Sequence, residues 1–504
     1  MSRASGQRTR VSLTFLLLSS SILWGSFTPS ASNASDPVDC DAPPTNPQTF
    51  TLDWDVRDGQ NGWCAGQRQE DEYSNPAFNL KMATAAPSMY EQGIANQTSQ
   101  PTRLKLTGSQ LVPGPSAGDP FRLAADWQSA GRGRVTPISF ISSFTGAKLE
   151  GEIWRPPASV AGPYPGVIVV GGGTQQWRQL YYWAAQGLAE GGYEVLTYDP
   201  QGQGSSETFP HTDDGSSFCT SRGCPGQFPP SDTNVEFAVR DAIKFFISTA
   251  TSAYASPTPN NAGTNLYNPE FASLNHTVLD SSGRLPIGLA GHSLGGADAQ
   301  VVGQADPRIS AIVAWDASIF LTNIPPENAL ANAHAPTLEL TPDYSDFPTW
   351  NSAPPDAYSK QLGIRQLRQL CLDGKQCLDL MQVNLRAGTH AEWTYFPYLR
   401  PASRLGERVS MYYTRAWFDA YLKGALSPAA HTAAIAKLRA SVFDDSADVS
   451  SIGSGMADAS NPSINRPYKI AGMPVHNRIS FYFASSYWLK DGATYTCENM
   501  FAGC

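Results

Sequence analysis

A chain of 504 residues exceeds one average domain, but one large domain with extensions accounts for it as well as two separate cores do. Its composition, 41% hydrophobic and 16% charged, is ordinary for a globular protein and excludes wholesale disorder. The formal charge is −9, and no lysine- or arginine-rich run follows the extreme N-terminus, which argues against nucleic acid as a partner.

Residues 1–34 have the layout of a secretory signal peptide. Three arginines in the first ten residues precede a largely apolar stretch, 11–27, and small residues lead to a predicted cleavage site after Ser32 or Ala34. An uncleaved membrane anchor is the alternative, although the apolar run is short and serines interrupt it. Cleavage would remove three arginines and no acid, taking the charge from −9 to −12. We therefore expect a secreted or periplasmic protein, with no later stretch apolar for long enough to span a bilayer.

All eight cysteines follow this leader and fall into four near-neighbour pairs. In an exported chain such spacing favours four local disulfides. Zinc is the alternative, but the pairs contain no CxxC and no adjacent histidine, so we expect no metal site. The predicted pairs are Cys40 with Cys64, Cys219 with Cys224, Cys371 with Cys377, and Cys497 with Cys504.

The first part of the mature chain, residues 35–134, reads as an N-terminal extension that packs on the main domain, residues 135–504. Residues 135–154 alternate apolar and polar around Thr145-Gly146, which predicts a β-hairpin. Turn-rich insertions near 206–231 and 250–284 are expected to form part of a cap over a site, and the chain after 424 is expected to be a C-terminal extension.

Between these segments, apolar runs that are typical of buried strands alternate with helical patterns. Such alternation predicts an α/β fold with a mostly parallel, doubly wound sheet, because the crossover helices must cover both faces. The predicted strands are 166–170, 193–198, 287–291, 309–315, 337–341 and 378–385, and the predicted helices are 177–190, 234–248 and 296–304.

The strand 287–291 leads into the pattern Gly291-x-Ser293-x-Gly295. This pattern suits a nucleophile elbow, in which serine takes a strained backbone conformation and the flanking glycines let the next helix pass closely. Ser293 is therefore a candidate nucleophile. His292, inside the same motif, is expected to be structural.

A serine hydroxyl needs a histidine to take its proton and a carboxylate to orient that histidine. His390 follows the strand 378–385 and is the candidate base. Asp343, two positions after the strand 337–341, is the favoured acid, with Asp346 and Asp316 as alternatives. The carboxyl ends of parallel strands lie at one edge of a sheet, so these side chains are expected to meet there.

Attack of a serine on a carbonyl creates an oxyanion, for which hydrogen-bond donors must already be in place. The backbone N–H of Leu294, directly after the serine, is one candidate donor. Gly173, or alternatively Thr174, in the glycine-rich loop after the strand 166–170 is the other.

These residues resemble the α/β-hydrolase superfamily, and within it the secreted esterase-like branch that includes dienelactone-hydrolase-like and cutinase-like enzymes. The resemblance covers about residues 135–424 and is carried by VIVVGGGTQ, GLAGHSLGG, AIVAWDAS, LELTPDYSD and NLRAGTHAEWTYFP, among other motifs. It implies a serine hydrolase that needs no cofactor and cleaves carboxylic esters, as a carboxylesterase or lipase-like enzyme, through an acyl-enzyme.

Three alternatives stay open. The same triad serves peptidases and amidases, exported enzymes of this type also cleave polyesters, and a binding protein could keep the fold without catalysis. The substrate is in each catalytic case a small or polymeric molecule with an acyl group.

Overall fold

The structure of the protein is a computed structural model. It describes residues 118–173, 177–201, 203–207, 232–258, 261–276, 283–317, 327–342, 358–385, 388–394, 404–439 and 483–497, and isolated positions within 76–91 and 469–474. All of these fall within a single compact unit.

Twelve strands occur among the described residues. Most contain β-branched or aromatic side chains, which pack well on a pleated surface. They are β1 (Arg134–Ile141), β2 (Lys148–Arg155), β3 (Gly166–Val170), β4 (Glu194–Tyr198), β5 (Ile287–His292), β6 (Ala311–Trp315), β7 (Thr337–Pro342), β8 (Leu380–Leu385), β9 (Lys469–Ile470), β10 (Met473–Pro474), β11 (Phe483–Trp488) and β12 (Thr494–Cys497).

The helices of the described chain alternate with the central strands. They are α1 (Ala124–Ser129), α2 (Tyr182–Glu190), α3 (Asp232–Phe246), α4 (Leu294–Ala305), α5 (Glu327–Ala331), α6 (Tyr358–Leu372), α7 (Arg404–Phe418) and α8 (Pro428–Leu438). Short 3₁₀ turns at Arg178–Tyr181 and His390–Trp393 precede α2 and follow β8.

Ten of the strands form one sheet in the order β1-β2-β4-β3-β5-β6-β7-β8-β11-β12. The six central strands, from β4 to β8 in this order, run parallel, and on each side two strands continue the sheet, each antiparallel to the strand inside it. This confirms the predicted α/β fold with a mostly parallel sheet, and the predicted hairpin is β1–β2. The chain leaves β3 for β4 on one side and reaches β5 on the other, so the strand order reverses at β3, where sites in open parallel sheets form.

Helices cover both faces of the sheet. Alternate side chains of β3 point to opposite faces, with Val167 and Val169 in a core cluster that includes α2 and α7, and Ile168 and Val170 in a second cluster with α3 and α4. A strand buried on both faces has no polar side, which is why GVIVV is continuously apolar.

The insertion predicted near 250–284 packs on the outer strands and the amino ends of the parallel strands. Glu270 pairs with Arg134 and Arg155, Ser273 donates to Glu194 at the start of β4, and a β-bridge joins Leu274 to Tyr164 ahead of β3. Tyr254 of the same insertion donates to the Ile141 carbonyl at the opposite, carboxyl end of the outer strand β1, and the expected cap stays a prediction. Residues 208–231, the other expected insertion, lie outside the described residues.

Both ends of the described chain join the core. Trp127 of α1 packs edge-on against Trp154 of β2 and donates a hydrogen bond to Glu190. After residue 424, strands β11 and β12 extend the main sheet beyond β8, which the sequence did not predict.

Of the four predicted disulfides, Cys371–Cys377 is present, and it joins the last turn of α6 to the segment that follows it. The other pairs and the leader lie at least partly outside the described residues. No helix of the described chain is both long and apolar enough to cross a bilayer.

Candidate active site

Ser293 lies on a sharp turn between β5 and α4. Its φ of 53° and ψ of −129° belong to a region that non-glycine residues rarely adopt, at a cost of about 1–3 kcal/mol. The Ser293 N–H donates to the Trp315 carbonyl of the neighbouring strand at 3.0 Å, which holds the turn against β6. The predicted elbow is therefore present in the backbone.

Three glycines around Ser293 allow the helix to start directly above the strand. A Cβ on Gly291 would lie 2.5 Å from the Gly295 carbonyl oxygen, and one on Gly296 would lie 2.6 Å from that of Gly291. At Gly295 it would come within 2.0 Å of the Gly171 carbonyl oxygen in the loop after β3. Gly295 thus lets α4 contact the glycine-rich loop backbone to backbone.

Asp316 directly follows β6 and has a second strained conformation, with φ 44°. Its N–H donates to the Leu340 carbonyl of β7 at 2.7 Å. Since β5 and β6 are neighbours, the two strained residues of this edge, Ser293 and Asp316, follow adjacent strand ends.

His390 follows β8 and begins a 3₁₀ turn that the Thr389 hydroxyl caps by accepting from the Ala391 N–H. Its Nδ1 is hydrogen-bonded to Oδ2 of Asp316. The side chains of His390 and Asp316 are 26% and 23% exposed, so the pair is partly buried but accessible to solvent. This carboxylate can orient the imidazole and stabilise its charged form.

The carboxylate that contacts His390 is thus Asp316, which the sequence offered as an alternative to Asp343. Asp343 and Asp346 lie outside the described residues, so the preference for Asp343 stays a prediction. Asp316 follows β6, which lies two strands from β8, and the aspartate–histidine contact spans that separation.

The two predicted oxyanion donors belong to the two segments that meet where Gly295 of α4 contacts Gly171 of the loop after β3. Leu294 is the first residue of α4, and the N–H groups of a helix's first turn have no partner within the helix. Gly173 ends the described part of the loop after β3, and Thr174 lies outside it. The donors stay a prediction; the contact between Gly295 and Gly171 brings their two segments together.

A buried ion pair supports the far end of the glycine-rich loop. The Arg178 backbone N–H donates to Asp199 Oδ1 at 2.8 Å, its guanidinium pairs with the same carboxylate, and its Nη1 reaches the Ser205 hydroxyl at 2.9 Å. The segments after β3 and β4 are therefore joined at the carboxyl edge.

His292 is fully buried beside these residues. Its Nδ1 lies 3.1 Å from the Tyr181 hydroxyl and its Nε2 lies 3.0 Å from the His390 carbonyl oxygen. Its ring centroid is 4.4 Å from that of His390. Burial and the neighbouring charge of His390 lower the pKa of His292 well below its ordinary value, so it is neutral near pH 7. The expectation that His292 is not the base agrees with these contacts.

Sequence reasoning missed the supporting residues Tyr181, Arg178 and Asp199. Asp199 follows a predicted strand, as Asp316 does, which is a signal for a position at the carboxyl edge. Tyr181 lies within a continuous aromatic run, where nothing in the pattern distinguishes it from a core tyrosine.

No protein-family model and no curated protein matches the chain. Among solved structures it is similar to a ferulic acid esterase from Streptomyces cinnamoneus, with 16% sequence identity and a TM-score of 0.36 over 59% of this chain and 91% of that chain. So low a TM-score supports no conclusion about this chain.

The fold and the site together define an α/β protein that carries a serine on an elbow and a histidine–aspartate pair at the carboxyl edge of one sheet. In chemical terms, a serine hydroxyl becomes a nucleophile when a histidine–aspartate pair takes its proton.

Proposed function

We propose that this protein is a serine hydrolase of the α/β-hydrolase type that cleaves carboxylic esters through an acyl-enzyme. Ser293 is the nucleophile, His390 the general base and Asp316 the orienting acid, in place of the Asp343 favoured from sequence. The backbone N–H groups of Gly173 and Leu294 bind the oxyanion. No cofactor is required.

One observation carries the proposal: the strained Ser293 and the hydrogen-bonded His390–Asp316 pair lie at the same edge of the sheet. The contact between the His292 ring and the His390 carbonyl supports their proximity, because His292 immediately precedes the serine. A strained non-glycine residue persists only where its surroundings impose it, and functional sites are where such residues cluster.

In the proposed cycle His390 takes the Ser293 hydroxyl proton as the oxygen attacks the ester carbonyl. The tetrahedral oxyanion collapses, the alcohol leaves with the proton from His390, and the acyl group stays on Ser293. Water, activated by the same histidine, then releases the acid and restores the hydroxyl. The cycle therefore balances with the ester and one water molecule as its reactants.

The class of substrate is a small or polymeric ester. We also propose that the chain is exported, on the strength of the leader-like residues 1–34 and the disulfide Cys371–Cys377.

A fluorophosphonate probe tests the nucleophile. We expect the wild type and Ser252→Ala, which changes an exposed serine, to be labelled and to hydrolyse p-nitrophenyl esters. Ser293→Ala should not be labelled and should lose ester hydrolysis by about a million-fold, the loss measured for the nucleophile of subtilisin.

Failure of the wild type to label, or equal labelling of Ser293→Ala, would contradict a serine mechanism and favour a binding protein of the same fold. Matched ester and amide substrates separate an esterase from an amidase. Faster amide turnover would overturn the assignment to esters.

A further inference from the structure

A chain of three hydrogen bonds runs behind the proposed catalytic residues. The Gly172 N–H donates to the Tyr181 hydroxyl at 3.0 Å, this hydroxyl lies 3.1 Å from His292 Nδ1, and His292 Nε2 lies 3.0 Å from the His390 carbonyl oxygen. Gly172, Tyr181 and His292 are all buried. We name Gly172, Tyr181, His292 and the His390 carbonyl the buried relay.

The chemistry of its ends determines where each proton lies. A carbonyl oxygen only accepts, so His292 Nε2 must carry the proton of the bond to His390. A neutral imidazole that is protonated at Nε2 accepts at Nδ1, so the Tyr181 hydroxyl donates to it. The Tyr181 oxygen in turn accepts from Gly172. The buried relay therefore has one consistent direction, from Gly172 through Tyr181 and His292 to His390.

Protonation of His292 would break this order. An imidazolium donates from both nitrogens, so Nδ1 would direct a proton at the Tyr181 O–H, which already donates toward it. Full burial adds the cost of desolvating the charge, in agreement with the lowered pKa of His292.

The buried relay joins the segments on which the proposed chemistry depends. Gly172 precedes the oxyanion donor Gly173, His292 precedes the nucleophile Ser293, and the third segment is the backbone of His390 itself. A displacement of about 1 Å in such a constellation can cost about a hundredfold in rate.

We propose that Tyr181 and His292 are positioning residues, whose hydrogen bonds hold the oxyanion loop, the serine and the catalytic histidine at one mutual spacing. This inference rests on the proposed function and assigns the support of that same site. Neither side chain touches the ester.

Tyr181→Phe removes one oxygen and with it two of the three bonds. We expect kcat to fall about 10–100-fold, since a misplaced loop weakens transition-state binding more than ground-state binding. KM should change less than about threefold. Affinity for a trifluoromethyl ketone, which forms a tetrahedral adduct with serine, should fall in parallel with kcat/KM.

Tyr198→Phe is the matched control. Its hydroxyl, at the end of β4, is equally buried and has no hydrogen-bond partner among the described residues. Its removal should leave kcat within about twofold of the wild type. An equal loss in both variants, or no loss in Tyr181→Phe, would overturn the proposal.

If Tyr181→Phe does not fold, His292→Gln is tested in its place. We expect the same large fall in kcat and small change in KM, and an unchanged kcat would again overturn the proposal. Gln can still donate to the His390 carbonyl, but its amide lies too far along the side chain to accept from Tyr181.

Nitrogen NMR of histidine-labelled wild type tests the geometry without any substrate. His292 should show the neutral, Nε2-protonated ring throughout pH 5–8, and a titrating or Nδ1-protonated ring would overturn the proposal. A wild type that neither labels with fluorophosphonate nor hydrolyses esters refutes the proposed function instead. A labelled, active wild type with an unaffected Tyr181→Phe refutes only the positioning role.

Discussion

The carboxylate that is hydrogen-bonded to His390 belongs to Asp316. Asp316 contacts Nδ1 of this histidine from a strained position at the end of β6. A carboxylate in that place keeps the proton on Nδ1, so that Nε2 is free to act as the base.

Asp316→Asn should therefore lower kcat by about 10⁴-fold, because an asparagine can hold the imidazole in the wrong tautomer. Asp343→Asn is the comparison and should retain activity. Steady-state kinetics of the two variants on one ester decide between the acids. A large loss in Asp343→Asn with an active Asp316→Asn would restore the assignment made from sequence.

Glu339 shows what burial does to a carboxylate outside the site. It lies in β7 at 1% exposure, and desolvation raises its pKa to about 8, although the neighbouring polar groups of Gln300 and the Ile364 backbone oppose the rise. The folded protein therefore holds a proton that the unfolded chain releases near pH 4.5. Stability should fall as pH rises between these values, because the folded state binds more protons.

Glu339→Gln removes this titration. We expect its free energy of unfolding, relative to the wild type, to rise from pH 5 to pH 8 by on the order of a few kcal/mol. Urea unfolding at both pH values measures the change, and Glu91→Gln, at an exposed position, is the control. Parallel pH curves for the wild type and Glu339→Gln would contradict a buried neutral carboxyl.

Among the elements, the joint between β5, α4 and the loop after β3 has the tightest geometry. The Gly295 Cα faces the Gly171 carbonyl so closely that any side chain must push the helix away from the loop. Both proposed oxyanion donors depend on this contact.

Gly295→Ala should therefore lower kcat by at least about tenfold and destabilise the fold by about 1–3 kcal/mol, the usual cost of overpacking. Gly374→Ala tests whether such a loss is general to glycines, because a Cβ there meets nothing within 4 Å, although its φ of 71° adds local strain. Kinetics and thermal unfolding measure both variants. Unchanged kcat in Gly295→Ala would show that the loop does not need this approach.

Across the whole molecule, a buried ion pair ties the segment before α1 to α7, 285 residues away along the chain. Arg122 Nη2 lies 2.5 Å from Glu407 Oε2, and both side chains are 3% exposed. The Arg122 carbonyl also accepts from the Gln186 side chain of α2 at 2.8 Å.

Arg122 also pairs with the buried Asp119 at 3.3 Å, so Arg122→Met leaves two carboxylates buried without their cation and should cost about 3–5 kcal/mol of unfolding free energy. The double variant Arg122→Met with Glu407→Leu should recover part of this loss, because Asp119 is then the one carboxylate of the cluster left without the arginine. Chemical unfolding of the wild type and the single and double variants measures the coupling. Equal instability of the single and double variants would mean that packing, and not charge, dominates at this contact.

Local chemistry, legible in the sequence, specifies the strands and the elbow. The apolar runs from GVIVV to LMQVNL predicted strands buried on both faces, and the glycines around Ser293 predicted the elbow, because close backbone approach requires them. Chain order also placed His390 at the edge that carries Ser293, since parallel strands end on one side.

Contacts between segments far apart in the chain depend on how the sheet and helices pack, which no local pattern encodes. Asp316 and Asp343 both follow strands, and only the packed sheet shows that Asp316 contacts His390. Residues 270–274 pack beside the amino ends, because Glu270 meets arginines of the β1–β2 hairpin there. The sequence pattern around His292 and Tyr181 is that of core residues. They form the buried relay because folding brings the Gly172 N–H to one side of them and the His390 carbonyl to the other.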